Sequence, residues 1–106
     1  MTKLSYVPVL VSRKKSAPEA FLIIKILANR SRYSIMALLL GSERDLCVHE
    51  ISERLSMTQS ATSHQLSFLE GCGVVESVRM GKTKCYLPTT TARSRKINGI
   101  IKLLRR

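Results

Sequence analysis

Acidic residues are scarce. The 106-residue chain holds seven Asp and Glu against eighteen Lys and Arg, a formal charge of +11, and residues 88–106 contain no Asp, Glu or His. Long hydrophobic runs are missing too. The longest unbroken apolar stretch runs from Ile35 to Leu40, far short of the roughly 18 residues a membrane-spanning helix needs. Cysteine is sparse and odd in number, three with no paired motif, so a disulfide framework is not expected and a reducing cytoplasm is. The N-terminal apolar stretch is weak, broken by Pro8 and ended by Arg13-Lys14-Lys15, a poor secretory signal. There are no internal repeats and no low-complexity tracts. No Ser/His/Asp or Cys/His arrangement finds its partners. His64 follows Ser63 directly, and neighbours on a helix point about 100° apart. The expectation is therefore no enzyme, no cofactor and no small-molecule substrate. The length allows one small domain and excludes a two-lobed enzyme.

What is present is positive charge, unevenly placed. Residues 1–20 carry net +3, residues 21–57 and 58–87 net +1 each, and residues 88–106 net +6. Such a balance suits a phosphate-backbone partner. Solubility or adhesion to an acidic membrane are the blander readings, and nucleic acid is favoured over them.

The apolar spacing predicts a mainly α domain with one small β-hairpin. Residues 1–18 form an N-terminal arm: 4–11 read equally as a short helix or an extended segment, and Ser12 to Pro18 as a polar, basic connector. From Glu19, Leu22, Ile23, Ile26 and Leu27 share one helical face. Asn29 is placed to cap a second helix, which Gly41 stops. Val48, Ile51 and Leu55 make a short amphipathic helix. After a break at 56–58, Thr58 is the expected N-cap of a helix over about 59–71, with Ala61, Thr62, Leu66 and Leu69 turned inward. A strand over 74–78, a turn over 80–83 and a returning strand over 84–87 follow. A last helix over about 91–105 carries Ile97, Ile100, Ile101 and Leu104 as a stripe.

Two helices joined by a three-residue turn (48–71), followed by a basic hairpin (74–87), define a winged helix-turn-helix. The second helix of such a pair can enter the major groove, so its outer face must carry groups that reach base edges. On a helical wheel Ser63, Ser67, Ser60 and His64 fall at about 200–300° from Ala61, opposite the apolar side. With Gln59 and Gln65 they make a small, polar, uncharged surface, whereas solvated faces usually carry Lys and Glu. Arg79, Lys82 and Lys84 place positive charge around Gly81 on the hairpin, suited to the phosphate backbone beside the groove. Charges there can equally protect an edge strand from aggregation.

These residues carry a resemblance. LANRSRYSIMALLL at 27–40 resembles the LA-x-x-x-R helix opening of the ArsR/SmtB repressors, and DLCVHEIS at 45–52 is similar to their ELCVCDL segment. SATSHQLSFLEGCGVV at 60–75 resembles S-x-x-S-x-H-L-x-x-L-x-x-x-G-L-V, and Arg79-x-Gly81 followed by Tyr86 matches the wing. The resemblance covers about two thirds of the chain, residues 21–87. It implies a homodimeric transcriptional repressor on a palindromic operator, paired through its first and last helices. The stripe Ile97, Ile100, Ile101 and Leu104 is the expected dimer surface.

The family's metal sites are only fragmentarily matched. Cys47 and His49 stand where ELCVCDL has its cysteines, but Ser52 or Ile51 takes the third position and no cysteine precedes Cys47. The last-helix zinc site needs acids and histidines that residues 88–106 lack. Cys47 is expected as a small packed residue, His49 as a surface or cap residue, and Cys72 and Cys85 as structural. A repressor without a metal site is the favoured reading. The alternatives are a metal- or thiol-responsive repressor using Cys47 and His49, a switch pairing two cysteines, and a non-specific architectural DNA-binding protein.

Overall fold

The computed structural model describes the backbone of residues 13–105 and the side chains from Glu19. The arm-or-helix alternative for residues 4–11 lies outside the described residues. Helix α1 spans Arg13–Leu27 and α2 Arg30–Leu40. The polar, basic connector is therefore largely helix. Lys14, Lys15 and Ala17 are good helix formers, and Pro18 removes a single backbone donor. Between the two helices the Asn29 side chain accepts the Arg32 N–H at 3.0 Å, satisfying one of the four donors a helix start leaves open.

Strand β1 is two residues long, Leu46–Cys47. Helix α3 spans Val48–Leu55 and α4 Gln59–Gly71. Ser56 between them takes a left-handed conformation, φ +55°. The Thr58 side chain accepts the Ala61 N–H at 3.0 Å, so α4 begins where its cap was read. Gly73, at φ +78°, turns the chain out of α4. Strands β2 (Val75–Met80) and β3 (Thr83–Pro88) form a hairpin whose turn is Gly81-Lys82, with Gly81 at φ +68°. The hairpin is longer than the apolar pattern implied, because backbone pairing continues past the last buried side chain to Met80↔Thr83. The three strands are antiparallel in the order β1-β3-β2. Helix α5, Ala92–Leu104, is capped by Thr91.

One core joins every element. Ile26 of α1, Ile35, Met36 and Leu39 of α2, Ile51 of α3 and Leu66 and Leu69 of α4 are fully buried, with Val74, Ile97 and Ile101. Two expectations are corrected by this core. Ala61 is exposed, not turned inward. Thr62, Leu66 and Leu69 set the buried direction, and Ala61 stands about 100° away from it. Ile97 and Ile101 lie inside the chain's own core, so they cannot form a dimer surface. Only Ile100, half-buried, and Leu104, exposed, remain of that stripe.

Candidate nucleic-acid interface

Helix α4 is built to show one face. Thr62, Leu66 and Leu69 fix it to the core, and the Thr62 hydroxyl donates to the Thr58 carbonyl at 2.8 Å, so the buried oxygen is satisfied inside the helix. Gln59, Ser60, Ser63, His64 and Ser67 are left exposed together. Gln65 differs from them. It is half-buried, and its Oε1 accepts from Arg32 Nη1 at 3.2 Å. Arg32 also donates to the Lys25 carbonyl at 2.8 Å, and its guanidinium lies 4.6 Å from the centre of the Phe68 ring. One side chain of α2 thus ties α1 to the outer flank of α4. The Nε atom of Arg32 is buried with no hydrogen-bond partner among the described residues.

The first turn of α4 is tied to α3 as well. Gln59 Nε2 donates to His49 Nδ1 at 3.1 Å, while His49 Nε2 lies 3.3 Å from Glu53. His49 is a surface residue between these two partners. Among the described residues no group of three His, Cys, Asp or Glu is arranged to hold a metal ion.

The wing projects positive charge. Arg79, Lys82 and Lys84 are exposed, and Arg79 faces Lys84 directly across the hairpin. Like charges opposite one another destabilise a sheet. Among the described residues no carboxylate pairs with either one. Lys84 instead reaches over the Tyr86 ring at 5.9 Å. A hairpin that keeps two cations face to face is suited to a third, negative body.

Arg93, by contrast, does not join this surface. It makes a two-pronged ion pair with Glu19, at 2.9 and 2.7 Å, and donates to the Cys72 carbonyl, locking α5 to α1 and to the end of α4. The Arg93 hydrogen bonds hold the Glu19 carboxyl below the usual range. Near α3, Arg44 grips Glu50 at 3.1 and 2.6 Å while Glu50 accepts the Cys47 N–H at 3.0 Å. The arginine bond first, and the backbone bond second, pull the Glu50 carboxyl down to about 2.

Cys47 and Cys85 correct the sequence reading outright. They are opposite one another in the β1–β3 register and joined by a disulfide. The expectation that no disulfide forms fails because β1, too short to be seen in the apolar pattern, brings residues 38 positions apart into register. Cys72 is free and half-buried at the end of α4.

Helix pair, wing and exposed polar face define a winged helix-turn-helix regulator of transcription. The sequence profile of the bacterial regulatory protein, arsR family, matches residues 29–77. The transcriptional activator HlyU of Vibrio cholerae is 34% identical over 93 residues, 88% of this chain and 81% of that protein. The solved structure of reduced HlyU from that organism has a TM-score of 0.78 at 29% identity, covering 92% of this chain and 100% of the other. A putative arsenical resistance operon repressor, ArsR, of Halobacterium salinarum is 39% identical over 67 residues, 63% of this chain and 52% of that protein. The fold is shared, at 22% identity and a TM-score of 0.73, with a homodimeric winged helix-turn-helix DNA-binding domain, Mb0332, of Mycobacterium bovis, covering 88% of this chain and 84% of that one. The chain belongs to the ArsR family of DNA-binding transcriptional regulators, and is not an enzyme.

Proposed function

We propose that this chain is a sequence-specific repressor that works in the cytoplasm as a homodimer. It lays α4 in the major groove and its wing on the flanking phosphates. The observation that carries the reading is the exposed cluster Ser60, Ser63, His64 and Ser67 beside a hairpin whose Arg79 and Lys84 face each other. Short hydroxyl and imidazole groups can approach base edges, and the wing cations position the protein without reading sequence. Lys82 adds to the wing contact, and Gln59 and Gln65 border the reading face.

Self-association is supported by an apolar patch on α1 and α5. Phe21 is 67% exposed, Ile24 59% and Leu104 65%, and a groove lined by Ile23, Ile24, Leu27, Ala28, Ile100 and Leu104 runs between the helices. Two-fold pairing there would set the two α4 helices about 34 Å apart, one turn of duplex, and call for a palindromic operator. Repression by occupying a promoter needs no surface beyond these two. Cys47 is bonded to Cys85 and His49 lies between Glu53 and Gln59, an arrangement that supports the reading of a repressor without a metal site.

Selection of bound sequences from a random duplex pool tests the reading. A palindrome with half-sites one helical turn apart is expected. A pool that stays random while the protein still binds it would replace the proposal with general architectural binding.

A further inference from the structure

The Cys47–Cys85 bond sits where the two halves of the DNA-binding apparatus meet. Cys47 is the residue before α3, the first helix of the helix-turn-helix. Cys85 lies in β3, the central strand of the sheet, opposite both Cys47 and, on its other side, Val78 of β2. Strand β1 offers only two residues to the sheet, Leu46 to Tyr86 and Cys47 to Cys85. The covalent bond therefore holds the base of the wing to the helix pair more firmly than that short ladder can alone. Beyond it, Arg79, Lys82 and Lys84 all stand on the outer half of the hairpin.

The two sulfurs differ in surroundings. Cys47 is half-exposed at the N-cap of α3, where a peroxide can reach its sulfur. The neighbouring carboxylate of Glu50 is already engaged by Arg44. Cys85 is buried. Cys72, the remaining cysteine, is elsewhere, and burial pushes its thiol up.

We propose that Cys47 and Cys85 form a redox-active pair that a hydroperoxide oxidises, and that the bond fastens the wing in its DNA-binding position. The inference rests on the DNA-binding reading above. In the first step the Cys47 thiolate attacks one peroxide oxygen. The O–O bond breaks, the leaving oxygen departs as an alcohol or water after taking a proton, and Cys47 becomes a sulfenic acid. In the second step the Cys85 thiolate attacks the Cys47 sulfur, the S–S bond forms, the S–O bond breaks, and hydroxide leaves as water with the proton from Cys85. Two thiols are oxidised and one peroxide is reduced. The reduced form keeps the fold, but its wing is ordered only on binding, at a cost the oxidised form has already met.

The test uses the full chain, fully reduced and then treated with an equimolar amount of hydrogen peroxide. Trypsin separates the three cysteines into the peptides 45–54, 55–79 and 85–93. The expected product is a cross-link between the first and the third, reversed by dithiothreitol, with Cys72 still free. Affinity is then read by fluorescence anisotropy on a labelled duplex recovered from the random pool. Oxidation should tighten binding roughly three- to ten-fold, the scale of ordering one or two mobile side-chain positions in advance. Cys47→Ser, which keeps a good N-cap, should bind as the reduced protein does and ignore peroxide; Cys72→Ser should respond like the parent. A cross-link through Cys72, no cross-link at all, or equal affinity of the two forms would overturn the proposal. Failure of both forms to bind any duplex would instead overturn the DNA-binding reading and take the switch with it.

Discussion

The guanidinium of Arg32 donates to Gln65 at 3.2 Å while covering the Phe68 ring at 4.6 Å. A residue at the start of α2 thereby braces the outer flank of α4 in the rotation that its buried Thr62, Leu66 and Leu69 set. Arg32→Ala should destabilise the domain by about 1.5–3 kcal/mol, the range for hydrogen bonds to a charged group. It should also weaken duplex binding, although Arg32 need not touch DNA. Arg32→Lys keeps the charge but not the fork and should restore little of either. Denaturant melts and anisotropy titrations on the same variants check this. Full restoration by lysine would reduce the role of Arg32 to its charge.

Stability and recognition should separate along α4. Leu66 is fully buried, and Leu66→Ala should cost about 2–5 kcal/mol. Ser63 is exposed, one of several such residues on that helix; Ser63→Ala should leave stability within about 0.5 kcal/mol. A Ser63→Ala protein that melts early would place that side chain in a structural role.

The wing should act through charge alone. Lys82→Ala is expected to weaken binding to every duplex by a similar factor and to reduce the slope of log affinity against log salt by about 1. An unchanged slope would remove Lys82 from the contact surface.

Self-association should respond to the exposed face of α5 and not to its buried one. Leu104→Asp or Ile24→Asp, both at exposed positions, should give folded monomers by sedimentation. Ile101→Asp should unfold the chain, because that side chain is 2% exposed within the single protomer. Dimers that persist with Leu104→Asp and Ile24→Asp combined would move the interface elsewhere.

Acid should loosen the joint between β1 and α3. Glu50 titrates at about 2 against an ordinary 4.5, through its bonds with Arg44 and the Cys47 N–H. A carboxylate lowered by folding contributes stability that is present above its unfolded value and is lost as pH falls through the folded one. The denaturation midpoint should therefore fall between about pH 4.5 and pH 2. Glu50→Gln should lower the neutral-pH midpoint and flatten that fall. Parallel curves for the two proteins would exclude Glu50 as a source of the acid sensitivity.

Much of this architecture was legible because local chemistry and burial agree. Asn29 and Thr58 cap the helices they precede, Leu66 and Leu69 face inward, and Gly81 turns the hairpin. Four features were not legible, each because it depends on contacts distant in sequence. A two-residue strand has no periodicity, so β1 and the pairing of Cys47 with Cys85 were missed. An apolar stripe says that a face is covered but not by what, so Ile97 and Ile101 were assigned to a partner when α5 buries them in its own chain. Gln65 reads as one more polar residue on α4 until Arg32, 33 positions earlier, is brought to it. Arg93 likewise adds to the C-terminal charge in sequence, yet Glu19, 74 positions away, neutralises it.

On the proposed reading, the outer face of α4 reads base pairs. The most direct measurement is the ratio of affinities for a selected duplex and a scrambled duplex at one salt concentration, for the parent chain and for Ser63→Ala with His64→Ala. The parent should prefer the selected duplex by about 10³-fold or more. The double variant should lose much of that preference while binding the scrambled duplex almost as before. Equal loss on both duplexes, or an undiminished ratio, would contradict the account.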